Sequence, residues 1–156
     1  QYVEYIQYHS NCSKEEARKK AESMLAKMKL PDPENVMRSY PHQLSGGMCQ
    51  RIGIAMAMTF NPKILLADEP TSALDVTTQA QIVQELINLR DTYETSIIIV
   101  THNLGVASYM SDNIIVMKDG DVIEKGKSEQ ILSSPSSNYT KLLLNSVPGL
   151  EERYVV

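Results

Sequence analysis

The chain has 156 residues, a net charge of −4, 22% charged residues and 42% hydrophobic residues. Those values fit one soluble-type domain that can bury a sizeable core, and the scattered Lys and Arg give no basic stripe of the kind that binds nucleic acid. Two cysteines without metal-ligand spacing fit a reducing compartment, and no apolar run approaches the roughly 18 residues that span a bilayer.

The first eight residues, Gln1 to Tyr8, read as the interior of a segment, and with no initiator Met the chain is expected to be part of a longer one. Ser13-x-x-Glu16 is a capping box, with Asn11 as an alternative cap. Ala17, Ala21, Met24, Leu25 and Met28 then fall on one helical stripe, and the basic run from Lys14 to Lys20 reads as its solvated face. Pro31-Asp32-Pro33 stops the helix near Leu30. A short turn or helix over Glu34 to Ser39 leads to Tyr40-Pro41-His42. Ser45 is the expected N-cap of the next helix, with Gly46 and Gly47 just inside it. From Met48 to Met58 this helix is apolar on most sides, which predicts burial all round, with Cys49 as packing. Asn61-Pro62-Lys63 ends it.

Ile64 to Ala67 is a short continuous apolar run, the pattern of a strand buried on both faces of a parallel sheet. A helix is predicted from about Thr77 to Arg90, with Ile82, Val83, Leu86 and Ile87 inward. Ile97 to Val100 is a second such strand, Asn103 to Met110 a helix, and Ile114 to Met117 a third strand. Asp119-Gly120 supplies the positive-φ positions of a type I′ hairpin turn, after which Val122 to Lys125 returns antiparallel. Helical stretches near 128–132 and 139–145 close the chain. The strand–helix rhythm predicts an α/β fold with a mainly parallel sheet. The expected division is a helical subdomain over 1–60, a sheet-bearing core over 61–127 and a C-terminal helical extension over 128–156.

Three places carry chemistry. Asp68 and Glu69 end an apolar strand, where ligands of open α/β sheets bind. There an Asp can hold Mg²⁺, usually through water, and a Glu can deprotonate a nucleophilic water. Ser45-Gly46-Gly47 offers a hydroxyl and free backbone N–H groups at a helix start, which favours an anion, and glycine lets the backbone approach a phosphate. His102 follows the second strand by two residues and emerges at the same sheet edge, where it can bond a phosphate oxygen. No Gly-x-x-x-x-Gly-Lys-Ser/Thr phosphate loop occurs anywhere in the 156 residues.

With these motifs in hand, the chain resembles the nucleotide-binding subunits of ATP-binding-cassette transporters. The string Leu44-Ser-Gly-Gly-Met-Cys-Gln-Arg51 is similar to the family's signature loop, and Ile64 to Glu69 is similar to its Walker B strand. Ser72-Ala-Leu-Asp75 resembles its D-loop, and His102 its switch histidine. Tyr40-Pro-His42, the run from Ala73 to Gln81, and the run from Asn138 to Pro148 resemble the peptide/nickel importer subgroup. Cys49 and Asn103 depart from the commoner residues of that pattern, as do Ser137 and Asn138.

The resemblance implies a P-loop NTPase-like partial core without the family's phosphate-loop region. It implies ATP and Mg²⁺ as cofactors and an ATPase coupled to uptake of oligopeptides, dipeptides or nickel-type complexes. It also implies a head-to-tail dimer with a second ATPase subunit, identical or not, in which Ser45, Gly46, Gly47 and Gln50 reach the partner's ATP. Asp68, Glu69 and His102 then act on the chain's own side, and Asp75 lies at the dimer interface. Permease subunits, and indirectly an extracellular or periplasmic binding protein, are the implied partners. The implied location is cytoplasmic, on the inner face of the membrane. Without a phosphate loop the chain alone is expected to be inactive. Two alternatives are a non-catalytic partner lending its signature loop in trans, and a soluble cassette ATPase of repair or translation.

Overall fold

The computed structural model describes residues 1–146; the end of the subgroup-like run, Val147 and Pro148, lies outside the described residues. The chain forms two compact units, Gln1–Ile99 and a second beginning at Val100.

The first unit opens with helix α1, Tyr2–His9, which buries Tyr2 and Ile6. Helix α2, Lys14–Lys27, starts at a full capping box: Glu16 N–H donates to Ser13 Oγ at 3.2 Å and Ser13 N–H donates to Glu16 Oε2 at 2.8 Å. Its predicted stripe of Ala17, Ala21, Met24 and Leu25 is buried, and Met28 beyond its end is buried too. A one-turn helix α3, Pro33–Val36, is capped by Asp32 in the left-handed region, and a single 3₁₀ turn, Pro41–Gln43, leads into helix α4, Gly46–Met58. Helix α2 packs on α1, α3 and α4. Helix α4 buries Gly47, Ile54, Ala55 and Met58 but leaves Gly53 and Ala57 exposed and Cys49 half-buried, so it is one-sided rather than buried all round.

Strand β1, Ile64–Asp68, and strand β2, Ser96–Val100, pair in a two-stranded sheet, joined through helix α5, Val76–Tyr93. The two strands start side by side, since Ser96 N–H donates to Lys63 O at 2.9 Å and Thr95 Oγ1 to Pro62 O at 2.8 Å. Strand starts that meet across an α-helical crossover give a parallel pair. Helix α5 buries Ile82, Val83, Glu85, Leu86 and Leu89. The expectation of strands buried on both faces fails: Ile64 and Leu66 are 58% and 73% exposed, and Ile98 and Val100 55% and 59%. Alternate residues such as Leu65 face the core, and among the described residues nothing covers the other face.

In the second unit, helix α6 spans Leu104–Met110 and is followed by strand β3, Asn113–Lys118, and strand β4, Asp121–Lys127. Strands β3 and β4 form a separate antiparallel hairpin, with a register shift at Val116/Met117. Asp119 at φ 51° and Gly120 at φ 90° make the predicted primed turn. Helices α7, Ser128–Ser133, and α8, Asn138–Asn145, pack on the hairpin. Ile114, Val116 and Ile131 form this unit's core, with Ala107, Leu132, Tyr139 and Leu143 against it.

Candidate functional site

The Leu44–Arg51 string turns from extended backbone into α4 at Ser45, whose Oγ accepts from Met48 N–H at 3.3 Å. Gly46 and Gly47 are the first two helical residues, so their N–H groups have no carbonyl one turn back to meet. An exposed Ser45 hydroxyl and two first-turn amides at the positive end of a 13-residue helix therefore form a local anion-favouring surface. Gln50 is half-buried further along the same helix.

The two glycines differ in their surroundings. A Cβ on Gly46 would lie 3.4 Å from Leu74 Cδ2, an ordinary contact. A Cβ on Gly47 would lie 2.7 Å from Thr78 Cγ2 on α5, closer than atoms of a packed interior come. One turn later, Arg51 Nε donates to both carboxylate oxygens of Glu85 at 3.0 Å, and Arg51 Nη2 donates to Gln81 Oε1 at 2.9 Å. The start of α4 is thus fixed to α5 twice, by a close apolar seat and by an ion pair with both partners mostly buried.

Asp75 is the N-cap of α5. Its Oδ1 accepts from Thr78 N–H at 2.9 Å and its Oδ2 from Thr78 Oγ1 at 2.6 Å. The Thr78 hydroxyl first, and then its backbone N–H, hold the Asp75 carboxyl below the usual carboxylate range, so it is ionised at neutral pH. Asp75 and Gly47 thereby share one neighbour, Thr78.

Asp68 is the last residue of β1 and is exposed. The chain then turns sharply: Glu69 sits at φ 45°, its carbonyl accepting from Ser72 N–H at 3.1 Å and Ser72 Oγ at 3.0 Å, and Ala73 sits at φ 59°. Two non-glycine residues in the left-handed region within five positions mark a turn held by its surroundings, as functional turns often are. Buried Pro70 and Thr71 anchor it. Among the described residues no group of three or more His, Cys, Asp or Glu could hold a metal. A Mg²⁺ bound mainly by water and nucleotide phosphates needs only one or two carboxylates, and exposed Asp68 at a strand end fits that requirement.

His102 is exposed and belongs to the second unit, one residue before Asn103, the N-cap of α6. Asn103 accepts from Val106 N–H at 3.3 Å and its N–H donates to Thr101 Oγ1 at 3.0 Å. An Asn at this position keeps the capping role an Asp would have.

The structure sets Gly47 and Asp75 on either side of Thr78, with Ser45 and Gly46 just before Gly47 at the start of α4, and places Asp68 at the end of β1 with Glu69 immediately after it. Thr78, Gln81 and Glu85 are residues the sequence reading did not select. The available signal was Glu85 itself, a carboxylate inside the apolar face of Ile82, Val83 and Leu86.

Comparison with known proteins agrees with these motifs. Residues 2–72 match the family model described as ABC transporter. The chain is 45% identical over 150 residues to the glutathione import ATP-binding protein GsiA of Escherichia coli strain K12, covering 96% of this chain and 24% of that protein. It is 44% identical over 151 residues to the oligopeptide transport ATP-binding protein AppD of Bacillus subtilis strain 168, covering 97% of this chain and 46% of that one. The chain therefore spans less than half the length of these relatives. Among solved structures, a post-hydrolysis dimer of the ATP-binding cassette MJ0796 bound to ADP and Pi aligns with a TM-score of 0.65 and 40% identity, over 75% of this chain and 49% of that one. A second dimeric MJ0796 structure aligns with a TM-score of 0.63. The signature-type loop, the strand ending in Asp68 and Glu69, and these alignments together make the chain similar to the ATP-binding-cassette transporter family.

Proposed function

We propose that the chain is part of a subunit that binds and hydrolyses ATP to energise import of a peptide-type solute or a nickel-type metal complex. The observation that carries this reading is one chain holding both an anion-favouring helix start at Ser45–Gly47 and a carboxylate pair ending a strand at Asp68–Glu69. Those two elements meet the two needs of phosphoryl transfer to water: stabilising charge on the γ-phosphate and positioning the nucleophile. The peptide-type solute is suggested by the names of the relatives, one of glutathione import and one of oligopeptide transport.

In this reading ATP lies between two cassette subunits in a homo- or heterodimer. The Ser45 hydroxyl, the Gly46 and Gly47 amides and Gln50 face the γ-phosphate held by the other subunit. Glu69 accepts a proton from the attacking water, His102 orients the phosphate and water, and Asp75 lies at the contact between subunits. Mg²⁺, held by Asp68 and the phosphates, supplies charge neutralisation when bound. Permease subunits would receive the closing motion, with an external solute-binding protein upstream of them. Among the described residues no helix is long and apolar enough to cross a membrane. We place the subunit on the cytoplasmic face, held there by those permeases. The domain division in this reading is helical subdomain 1–60, core 61–127 and extension 128–156.

The test is Glu69→Gln in a complete cassette containing this sequence. Removing a general base lowers kcat by about 10²–10⁴-fold while ATP binding is retained. An unchanged kcat overturns the reading. The present chain by itself, with no phosphate loop among its residues, is expected to show no Mg-ATP hydrolysis; turnover abolished by Glu69→Gln in the isolated chain would contradict that.

A further inference from the structure

We propose that Thr78 is a positioning residue that sets the Ser45–Gly47 loop and the Asp75 turn in register with each other, and that Gly47 is a glycine because it seats on Thr78. The consequence for catalysis rests on the functional reading above; the geometry does not.

Thr78 presents two different atoms to two different partners, the N-cap of its own helix and the start of α4. Its hydroxyl donates to Asp75 Oδ2 at 2.6 Å, and its methyl Cγ2 occupies the space where a Cβ of residue 47 would stand, 2.7 Å away. Thr is β-branched, so one torsion, χ1, fixes both atoms at once. Rotating χ1 to withdraw the methyl would break the bond to Asp75. The methyl is therefore not a yielding neighbour, and residue 47 must be the one without a side chain. Gly46 is the internal contrast, because a Cβ there meets only Leu74 at ordinary distance. Neither glycine has a positive φ, so backbone conformation does not demand glycine at either site. The Arg51–Glu85–Gln81 cluster one turn along keeps α4 from sliding away to relieve a clash.

Replacing Gly47 by Ala then has an effect opposite in sign to its helix propensity. Ala is the better helix former, yet overpacking against Thr78 should lower Tm by about 3–10 °C. Gly46→Ala should leave Tm unchanged or raise it. Thr78→Ser removes the methyl and keeps the hydroxyl, so Gly47→Ala with Thr78→Ser should regain most of the lost Tm. Thr78→Val keeps the shape and removes the hydroxyl, and it should speed amide hydrogen exchange at both Met48 and Thr78.

The deciding experiment is this double-mutant cycle, read by melting in the chain as it stands and by ATP turnover in a complete cassette containing it. Gly47→Ala should lower kcat on the order of 10- to 100-fold through misplacement of the loop, with KM little changed, and Thr78→Ser should restore it. The proposal is overturned if Thr78→Ser fails to restore the melting of Gly47→Ala. It is equally overturned if melting is restored and turnover is not, since Gly47 would then be required at the phosphate itself. Failure of the underlying functional reading looks different: the unmutated cassette would show no Glu69-dependent turnover, and the melting cycle would still decide the packing claim.

Discussion

Arg51 and Glu85 stand 34 positions apart in sequence and meet with their charged groups largely removed from water. Such a pair gains from its attraction but gives back much of that in desolvation, so its worth is best measured by breaking one side. Arg51→Ala leaves the Glu85 carboxylate buried without its cation and should cost about 2–4 kcal/mol in urea unfolding. The double substitution Arg51→Met/Glu85→Leu should cost much less than the sum of the singles. A single-variant loss under about 0.5 kcal/mol would mean the pair is no fastening at all. Tyr2 gives a second residue-scale prediction. Its hydroxyl bonds Thr59 Oγ1 at 2.7 Å, and burial pushes its pKa up to about 12, against the lowering effect of that bond. A phenol whose folded pKa is raised keeps its stabilising effect below the ordinary value of 10 and loses it as pH rises towards 12. Stability should therefore fall across that alkaline window, and Tyr2→Phe should flatten the fall at a cost of about 1 kcal/mol at neutral pH. Neither pair is legible in the sequence. Arg51 reads there as the end of the signature-type string, and nothing local names a carboxylate 34 residues away as its partner.

At the scale of elements, local rules were legible wherever the deciding contacts are local. The Ser13–Glu16 box, the Ser45 cap and the Asp119–Gly120 turn each involve residues within three or four positions, and each forms as its pattern predicts. The strands were less legible. Four consecutive apolar residues in β1 imply two buried faces, yet burial is a property of what packs on the strand, and here one face lies open. The attachment of α8 was hidden for the same reason. It depends on Glu124 of β4, whose Oε1 accepts from Ser136 N–H and Ser136 Oγ at 2.7 Å each, and whose Oε2 accepts from Ser137 N–H at 3.1 Å. The buried Thr140 hydroxyl lies beside the same carboxylate without meeting strict hydrogen-bond geometry. That hydroxyl first, and then the Ser136 and Ser137 donors, hold the Glu124 carboxyl at about 2. A depressed carboxylate pKa gives stability that is full above the unfolded value and is lost as pH falls through the folded one. Docking of α8 should therefore weaken between about pH 4.5 and 2. Glu124→Gln should remove that acid transition as read by amide exchange over residues 138–146. An unchanged acid profile in the variant would contradict the clamp.

At the scale of the whole molecule, the two motif groups stand on different elements of one chain: the signature-type loop on α4 and the carboxylate pair at the end of β1. The likeness to the ATP-binding-cassette family rests on those motifs and on the alignments to known cassettes; the division of labour between two ATP sites is the proposal that gives both groups a purpose. The central claim is that Ser45–Gly47 serves the partner's ATP while Glu69 serves the chain's own. It is tested most directly by ATP turnover of mixed dimers of a complete cassette containing this sequence. Gly46→Asp is suited to disabling the loop, because its Cβ has room and its carboxylate would oppose the phosphate. When Glu69→Gln and Gly46→Asp are placed in opposite subunits, both defects fall on one ATP site, and about half of the wild-type turnover should survive. When they are placed in the same subunit beside an unmutated partner, each site carries one defect and turnover should vanish. The reverse pattern, with turnover surviving only when both substitutions share a subunit, would contradict the account.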